Sequence, residues 1–353
     1  MNCSVAYYYY YFLVIILVIS KSVNGQPVVP ALFIFGDSIV DVGNNNNLHT
    51  IVKSNFNPYG RDFLYHQPTG RFCNGKLATD FTAETIGFTS YQPAYLNKEA
   101  TGKNLLIGAN FASASSGYHD STPKIYNTLS LSKQLEFYME YQKKLELIAG
   151  KTNATSIITE AVYLISAGSS DFLQNYYINP LLYKLYSLEE FSNVLVQQFA
   201  EFVRKLYWLG ARKVGVTSLP PLGCLPAAIT IFGEDSNECV EHINKDAITF
   251  NNMLNYTANE LQTQLSNLTL VVFDIYQPLY DIVTKPQDNG FVEARKACCG
   301  TGLVETSYLC NSKSPGTCNN ASEYVFWDGF HPSEATNRIL SDDLTAAAIS
   351  LIS

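Results

Sequence analysis

Five short apolar runs constrain the architecture more than any other feature of this sequence. They read ALFIFGD (31–37), NLLIGANFA (104–112), AVYLISAG (161–168), RKVGVTSL (212–219) and LTLVVFDIY (268–276). Each has the length and the β-branched and aromatic content of a buried strand. Between the last three, the intervening segments are helical in pattern. In SLEEFSNVLVQQFAEFVRKLYWLG (187–210), Phe191, Leu195, Phe202, Leu206 and Leu209 share one face; Ser187 and Glu190 form a capping box, and Gly210 closes the segment. EHINKDAITFNNMLNYTANELQTQL (241–265) repeats the pattern with Ile243, Ala247, Phe250, Leu254, Leu261 and Leu265. Strand and helix in alternation imply a parallel sheet, because a parallel neighbour is reached only by a crossover that covers one face. The expected fold class is α/β, with helices on both faces of the sheet.

With 353 residues, 47% of them hydrophobic and 15% charged, the chain is long and apolar enough to bury a large core. Its formal net charge of -8 argues against nucleic acid as a partner, since there is no cationic surplus to displace counterions. The N-terminus carries YYYYYFLVIILVI (7–19), followed by polar SKSVNGQ. That block is too short for the roughly 20 residues of a spanning helix and matches the apolar region of a secretory signal. Residues 1–25 are read as a signal peptide cut after Gly25, with Val23 and Gly25 at the recognition positions, although no Lys or Arg precedes the apolar block. An uncleaved N-terminal anchor is the alternative. No integral membrane span is expected in the mature chain.

Loss of Cys3 with the signal leaves Cys73, Cys224, Cys239, Cys298, Cys299, Cys310 and Cys318. The last four lie in CCGTGLVETSYLCNSKSPGTC (298–318), a stretch with few apolar residues that gains most from cross-links in an oxidising compartment. The spacing fits no standard zinc finger. Expected bridges are Cys224 with Cys239, and Cys298 and Cys299 each with one of Cys310 and Cys318, because adjacent cysteines rarely pair with each other. Cys73, remote from the rest, is the expected free thiol. Glycosylation sequons at Asn153, Asn255, Asn267 and Asn320 agree with export.

Ser38 follows the first apolar run on a glycine-bearing turn, where nucleophilic enzymes place a hydroxyl. It needs a base. Of His49, His66, His119, His242 and His331, the last stands out: FWDGFHPSEATNRIL sets Asp328 three residues before it and Pro332 after it. Across a tight turn, Asp328 reaches the imidazole N–H and fixes its tautomer, while Pro332, read as the first helical residue, locks the backbone. His119 with Asp120 is the local rival. For the oxyanion, the backbone N–H of Gly117 in GANFASASSGYHD is a candidate beside that of Ser38, with a further donor from SSDFLQNYY (169–177). Asp37 is read as structural, bonding turn amides. Asn44 to Asn47 is read as an exposed loop whose side chains bond their own backbone.

FGDSIVDVGNNN, GANFASASSG, AGSSDFLQNYY, SLPPLGCLP and DGFHPSEATNRI, in this order over nearly the whole mature chain, resemble the plant GDSL esterase/lipase family, a branch of the SGNH hydrolases. The resemblance implies a flavodoxin-like three-layer α/β/α fold, with Ser38 as nucleophile and Asp328 and His331 completing the triad. It places the oxyanion glycine at Gly117, or at Gly108. It also exposes a departure: the family's Gly-x-Asn-Asp block is here Gly168, Ser169, Ser170, Asp171, with Ser170 where an asparagine would donate. Gln174 or Asn175, one turn on, are alternative donors. The implied activity is secreted serine esterase or lipase chemistry on small-molecule or lipid esters in the cell wall or apoplast, without metal or organic cofactor. A weakened binding or signalling protein on the same scaffold, or an acyltransferase, are the other readings. Since Ser38 and His331 must meet, residues 26–353 are expected to form one domain, and the absence of G-x-S-x-G argues against an α/β-hydrolase.

Overall fold

A computed structural model describes residues 27–352 of the chain. The expected signal peptide and its expected cleavage site lie outside the described residues. The five strands are β1 (Leu32–Gly36), β2 (Gly108–Asn110), β3 (Val162–Ser166), β4 (Lys213–Thr217) and β5 (Thr269–Phe273), all parallel in the order β2-β1-β3-β4-β5. Helices of eight residues or more are α1 (Ala78–Thr85), α2 (Leu131–Ala149), α3 (Lys151–Glu160), α4 (Leu188–Trp208), α5 (Glu241–Gln264), α6 (Tyr276–Thr284) and α7 (Glu334–Ile352).

The strand alternation sorts side chains into two cores. Phe33 and Phe35 of β1, Tyr163 and Ile165 of β3, and Val214 and Val216 of β4 face α2, α4 and α5. Leu32, Ile34, Val162, Leu164 and Phe273 face the opposite side, against α1 and α7. The result is the three-layer α/β/α arrangement of the SGNH hydrolases. Removing a ring such as that of Phe35, fully buried against Phe111, Tyr138 and Phe202, costs about 3–5 kcal/mol.

The capping box of α4 is present: Glu190 N–H donates to Ser187 Oγ at 3.3 Å, and Ser187 N–H to Glu190 Oε2 at 2.8 Å. The second apolar run is less regular than expected. Leu105 to Ile107 end a 3-10 turn (Gly102–Ile107), and the strand begins only at Gly108, in a left-handed conformation. A Cβ there would stand 2.1 Å from the Leu32 carbonyl oxygen, so Gly108 serves strand pairing and lies in the sheet. Among the described residues, no helix is long and apolar enough to cross a membrane.

The asparagine tract departs from its expected loop. Asn44 and Asn45 are buried. The Asn44 amide donates to the carbonyls of Asn110 and Ala112, and that of Asn45 to those of Val52 and Ala114. Asn46 and Asn47 reach Thr69 and Leu96. The tract ties the segment after β2 to the segment after β1 because a buried backbone without a ladder partner needs side-chain donors.

Cys224–Cys239, Cys298–Cys318 and Cys299–Cys310 are bridged, and Cys73 is free and buried, as the spacing predicts. Asn153, Asn255, Asn267 and Asn320 are all exposed.

Candidate active site

In the strand order 2-1-3-4-5 the chain reverses direction across the sheet between β1 and β3, and ligands of such sheets bind beyond the carboxyl ends there. Ser38 lies two residues past β1. The turn that carries it needs Gly36, whose φ is +140° and whose Cβ would fall 1.8 Å from the Ser166 carbonyl oxygen. Gln134 of α2 clamps that glycine from both sides, accepting from its N–H and donating to its carbonyl, each at 2.9 Å. Nothing in the sequence pattern marked Gln134, whose partner is 98 residues away.

His331, the expected base, arrives on a turn of its own. Trp327 N–H donates to the His331 carbonyl at 2.8 Å and closes the loop over Asp328, Gly329 and Phe330. Asp328, fully buried, accepts the N–H groups of Phe330 and His331 on Oδ1, both at 2.9 Å. The same oxygen lies 2.7 Å from His331 Nδ1, and His331 Nε2 lies 2.8 Å from Ser38 Oγ. A carboxylate oxygen surrounded by donors fixes Nδ1 as the protonated nitrogen, which leaves Nε2 to accept from the serine hydroxyl. Pro332 is not the first helical residue. It pairs with Phe326 in an antiparallel bridge, and Ser333 caps α7 by accepting from Thr336 N–H.

Around Ser38 and His331 lies a cavity of about 350 Å3. Its apolar wall comes from Ile51, Val52, Phe72, Leu173, Ile178, Leu309 and Phe330, and apart from His331 it contains no ionisable acid or base other than tyrosine. A larger depression of about 680 Å3 between α4 and α5 holds no histidine.

The expected oxyanion residues are distributed unevenly. Ser38 lines the cavity; Gly117 and Ser170 are not among its lining residues. The Cα of Gly117 abuts Asp171, whose carboxylate would lie 2.3–2.6 Å from a Cβ. Asp171 accepts from Tyr118 N–H, His119 N–H and the Thr122 hydroxyl, tying the loops after β2 and β3 together. Burial nevertheless pushes its carboxyl up to about 7. Asp37 is also pushed up to about 7 by burial, against a single bond from Ile39 N–H at 3.2 Å, so it has the structural place expected of it. Lining the cavity instead are Ser115, in the left-handed region at φ 62°, and Gln174, whose Oε1 is buried without a hydrogen-bond partner. Asn175 is occupied: its amide donates to Ser121 Oγ and Thr122 Oγ1, both at 2.9 Å. His119, half-buried, has its Nδ1 2.7 Å from Ser121 Oγ and packs on Phe191, away from the cavity lining.

Residues 32–344 match the family model of the GDSL-like Lipase/Acylhydrolase. Among curated relatives, the chain is 63% identical over 339 residues to GDSL esterase/lipase At5g22810 of Arabidopsis thaliana, covering 95% of this chain and 94% of that protein. It is 59% identical to GDSL esterase/lipase At5g03820 over 331 residues (93% and 94%), and 59% identical to GDSL esterase/lipase APG over 326 residues (92% of each), both from the same plant. With motifs, sheet order and matched length in agreement, the chain belongs to the GDSL lipase/acylhydrolase family.

Proposed function

We propose that this protein is a secreted serine carboxylic ester hydrolase acting through an acyl-enzyme. The observation that carries the reading is the continuous hydrogen-bond chain from Ser38 Oγ through His331 to Asp328. His331 Nε2 takes the serine proton as Oγ attacks the ester carbonyl, and the imidazolium that forms is held by Asp328. The same nitrogen then protonates the leaving alcohol, and a water activated in turn releases the acid. We assign the oxyanion to the backbone amides of Ser38 and Ser115, with the Gln174 side chain donating through Nε2. In this assignment Gly117 and Ser170 shape the loops that carry those donors.

The substrate class follows from the lining. A cavity without formal charge disfavours charged acyl groups, and its volume, at the low end for ligand sites, suits a neutral ester of short or medium acyl length. Export is supported by the apolar N-terminal block, three disulfides and four exposed sequons. We read residues 26–353 as one mature domain, with Gln26 as the first residue after cleavage.

The test is covalent. A fluorophosphonate should add once to the protein, at Ser38, and turnover of a p-nitrophenyl butyrate probe should fall about 10⁶-fold in Ser38→Ala. Glycosylated, folded protein that takes up no adduct would sink the reading.

A further inference from the structure

The relay does not stop at Asp328. Its Oδ1 is occupied by three donors, and its Oδ2 meets two hydroxyls: Tyr59 at 2.6 Å and Thr306 at 3.0 Å. We infer that Tyr59 is a positioning residue for the Ser38–His331–Asp328 relay, and that it couples the wall of the ester cavity to the catalytic carboxylate. The inference builds on the esterase reading above.

The direction of the Tyr59 bond is fixed by its other partner. Ser307 N–H donates to the phenol oxygen at 2.7 Å, so the single phenolic proton is committed to Asp328. The ring is fully buried and held edge-on by Phe56, Phe72 and Trp327. Burial and the neighbouring Asp328 charge hold the phenol well above its usual pKa, so the O–H stays a donor. Packing alone would not require the hydroxyl, since phenylalanine fills the same ring contacts.

Ser307 gives the coupling. Thr306 to Leu309 are four consecutive residues of the cavity lining, inside the loop closed by Cys299–Cys310. Ser307 Oγ accepts from Lys53 N–H at 2.8 Å and shares its one proton between the backbone carbonyls of Ile51 and Lys53, at 2.8 and 2.9 Å, anchoring that wall to the 51–53 segment. One phenol thus accepts from the cavity wall and donates to the catalytic carboxylate. Chemically, a donor on Oδ2 draws charge away from Oδ1 and weakens the hold of Asp328 on the imidazolium. Without it, the imidazolium is held more strongly and His331 loses its proton at higher pH.

The experiment uses the full secreted chain with Tyr59→Phe, Thr306→Val and the double variant. On p-nitrophenyl butyrate, Tyr59→Phe leaves the Asp328 carboxylate free to turn away from His331, so it should lower kcat about tenfold with less change in KM, and the lost donor should move the ascending limb of kcat/KM to higher pH. Thr306→Val should move it the same way by less, and the pair should be non-additive, because both donate to one oxygen. An NMR titration of the His331 imidazole should show the same upward shift without turnover. Should Tyr59→Phe leave both the limb and the imidazole titration in place, whatever its thermal stability, the inference is overturned; if that variant does not fold, an unmoved titration in Thr306→Val overturns it equally. A shifted His331 titration in a protein whose Ser38 takes up no fluorophosphonate supports the positioning role and removes the esterase reading.

Discussion

The two sides of the serine are built differently. On the proton-transfer side, Asp328 and His331 are three residues apart on one closed turn, and the carboxylate is surrounded by five donors. On the other side, the proposed oxyanion residues Ser38, Ser115 and Gln174 come from three segments that follow β1, β2 and β3. Those loops are held together by buried carboxylates and amides: Asp41 bonds Gly43, Asn44 and Ala114, Asp171 bonds Tyr118, His119 and Thr122, and the asparagine tract fills the space between. A local turn is specified by a few adjacent residues. A donor set spread over three loops exists only once the sheet and its polar fastening have formed.

The comparison breaks first, and by the largest effect, at Asp328. Asp328→Asn keeps the size but offers an amide donor toward Nδ1, favouring the wrong tautomer, and should lose roughly 10³ to 10⁴-fold in kcat. His119→Ala should leave kcat nearly unchanged in the same assay. Retained turnover in Asp328→Asn would mean that the turn does not deliver the base. On the wild-type enzyme, kcat/KM should rise from acid pH and level off once His331 is neutral.

The oxyanion side is sharpened by a pair of variants. If Gln174 supplies the side-chain donor, Gln174→Ala should cost about 10² to 10³-fold in kcat and Ser170→Ala less than tenfold. The reverse order would return the role to the position the family pattern gives it.

Gly117 tests the fastening of the loops. A methyl group there meets the Asp171 carboxylate, so Gly117→Ala should destabilise the fold by about 1–3 kcal/mol in denaturant titration. An unchanged midpoint would mean that the loops yield easily, contrary to the rigid scaffold described above.

The smallest effect is a pH slope. Asp37 and Asp171 are pushed up by burial to about 7 in the folded chain, far above an ordinary carboxyl. Folded protein therefore holds protons that the unfolded chain releases between about pH 4 and 7. Their stabilising contribution is complete below about pH 4 and is lost as pH rises through about 7. Calorimetry should show Tm falling over that window, and Asp37→Asn should flatten the fall, because the amide does not titrate. A Tm slope identical in wild type and variant would remove Asp37 from this account.

What was legible follows the same division. Strand and helix periodicities identified the parallel sheet and the buried faces of α4 and α5, and the Asp-x-x-His spacing picked out two residues that the fold joins by a hydrogen bond, because each is a relation between residues close in the chain. Cysteine adjacency narrowed the bridges for the same reason. The asparagine tract misled: a polar run reads as exposed, yet its amides are consumed by carbonyls of the segment after β2, some 66 to 69 residues away. Tyr59 carried no sequence signal at all, since its partner lies 269 residues downstream.

The sequence by itself determined the sheet, the turn that carries Ser38 and the pairing of Asp328 with His331, since backbone sterics and short-range hydrogen bonds act within a few residues. Tertiary structure decided which of the small and polar residues after β2 and β3 line the cavity beside Ser38, that Gly117 abuts Asp171 while Ser115 lines that cavity, and that a buried phenol donates to Asp328. Those choices depend on how the loops pack and on which polar groups are then left without partners, and only the folded chain completes that count.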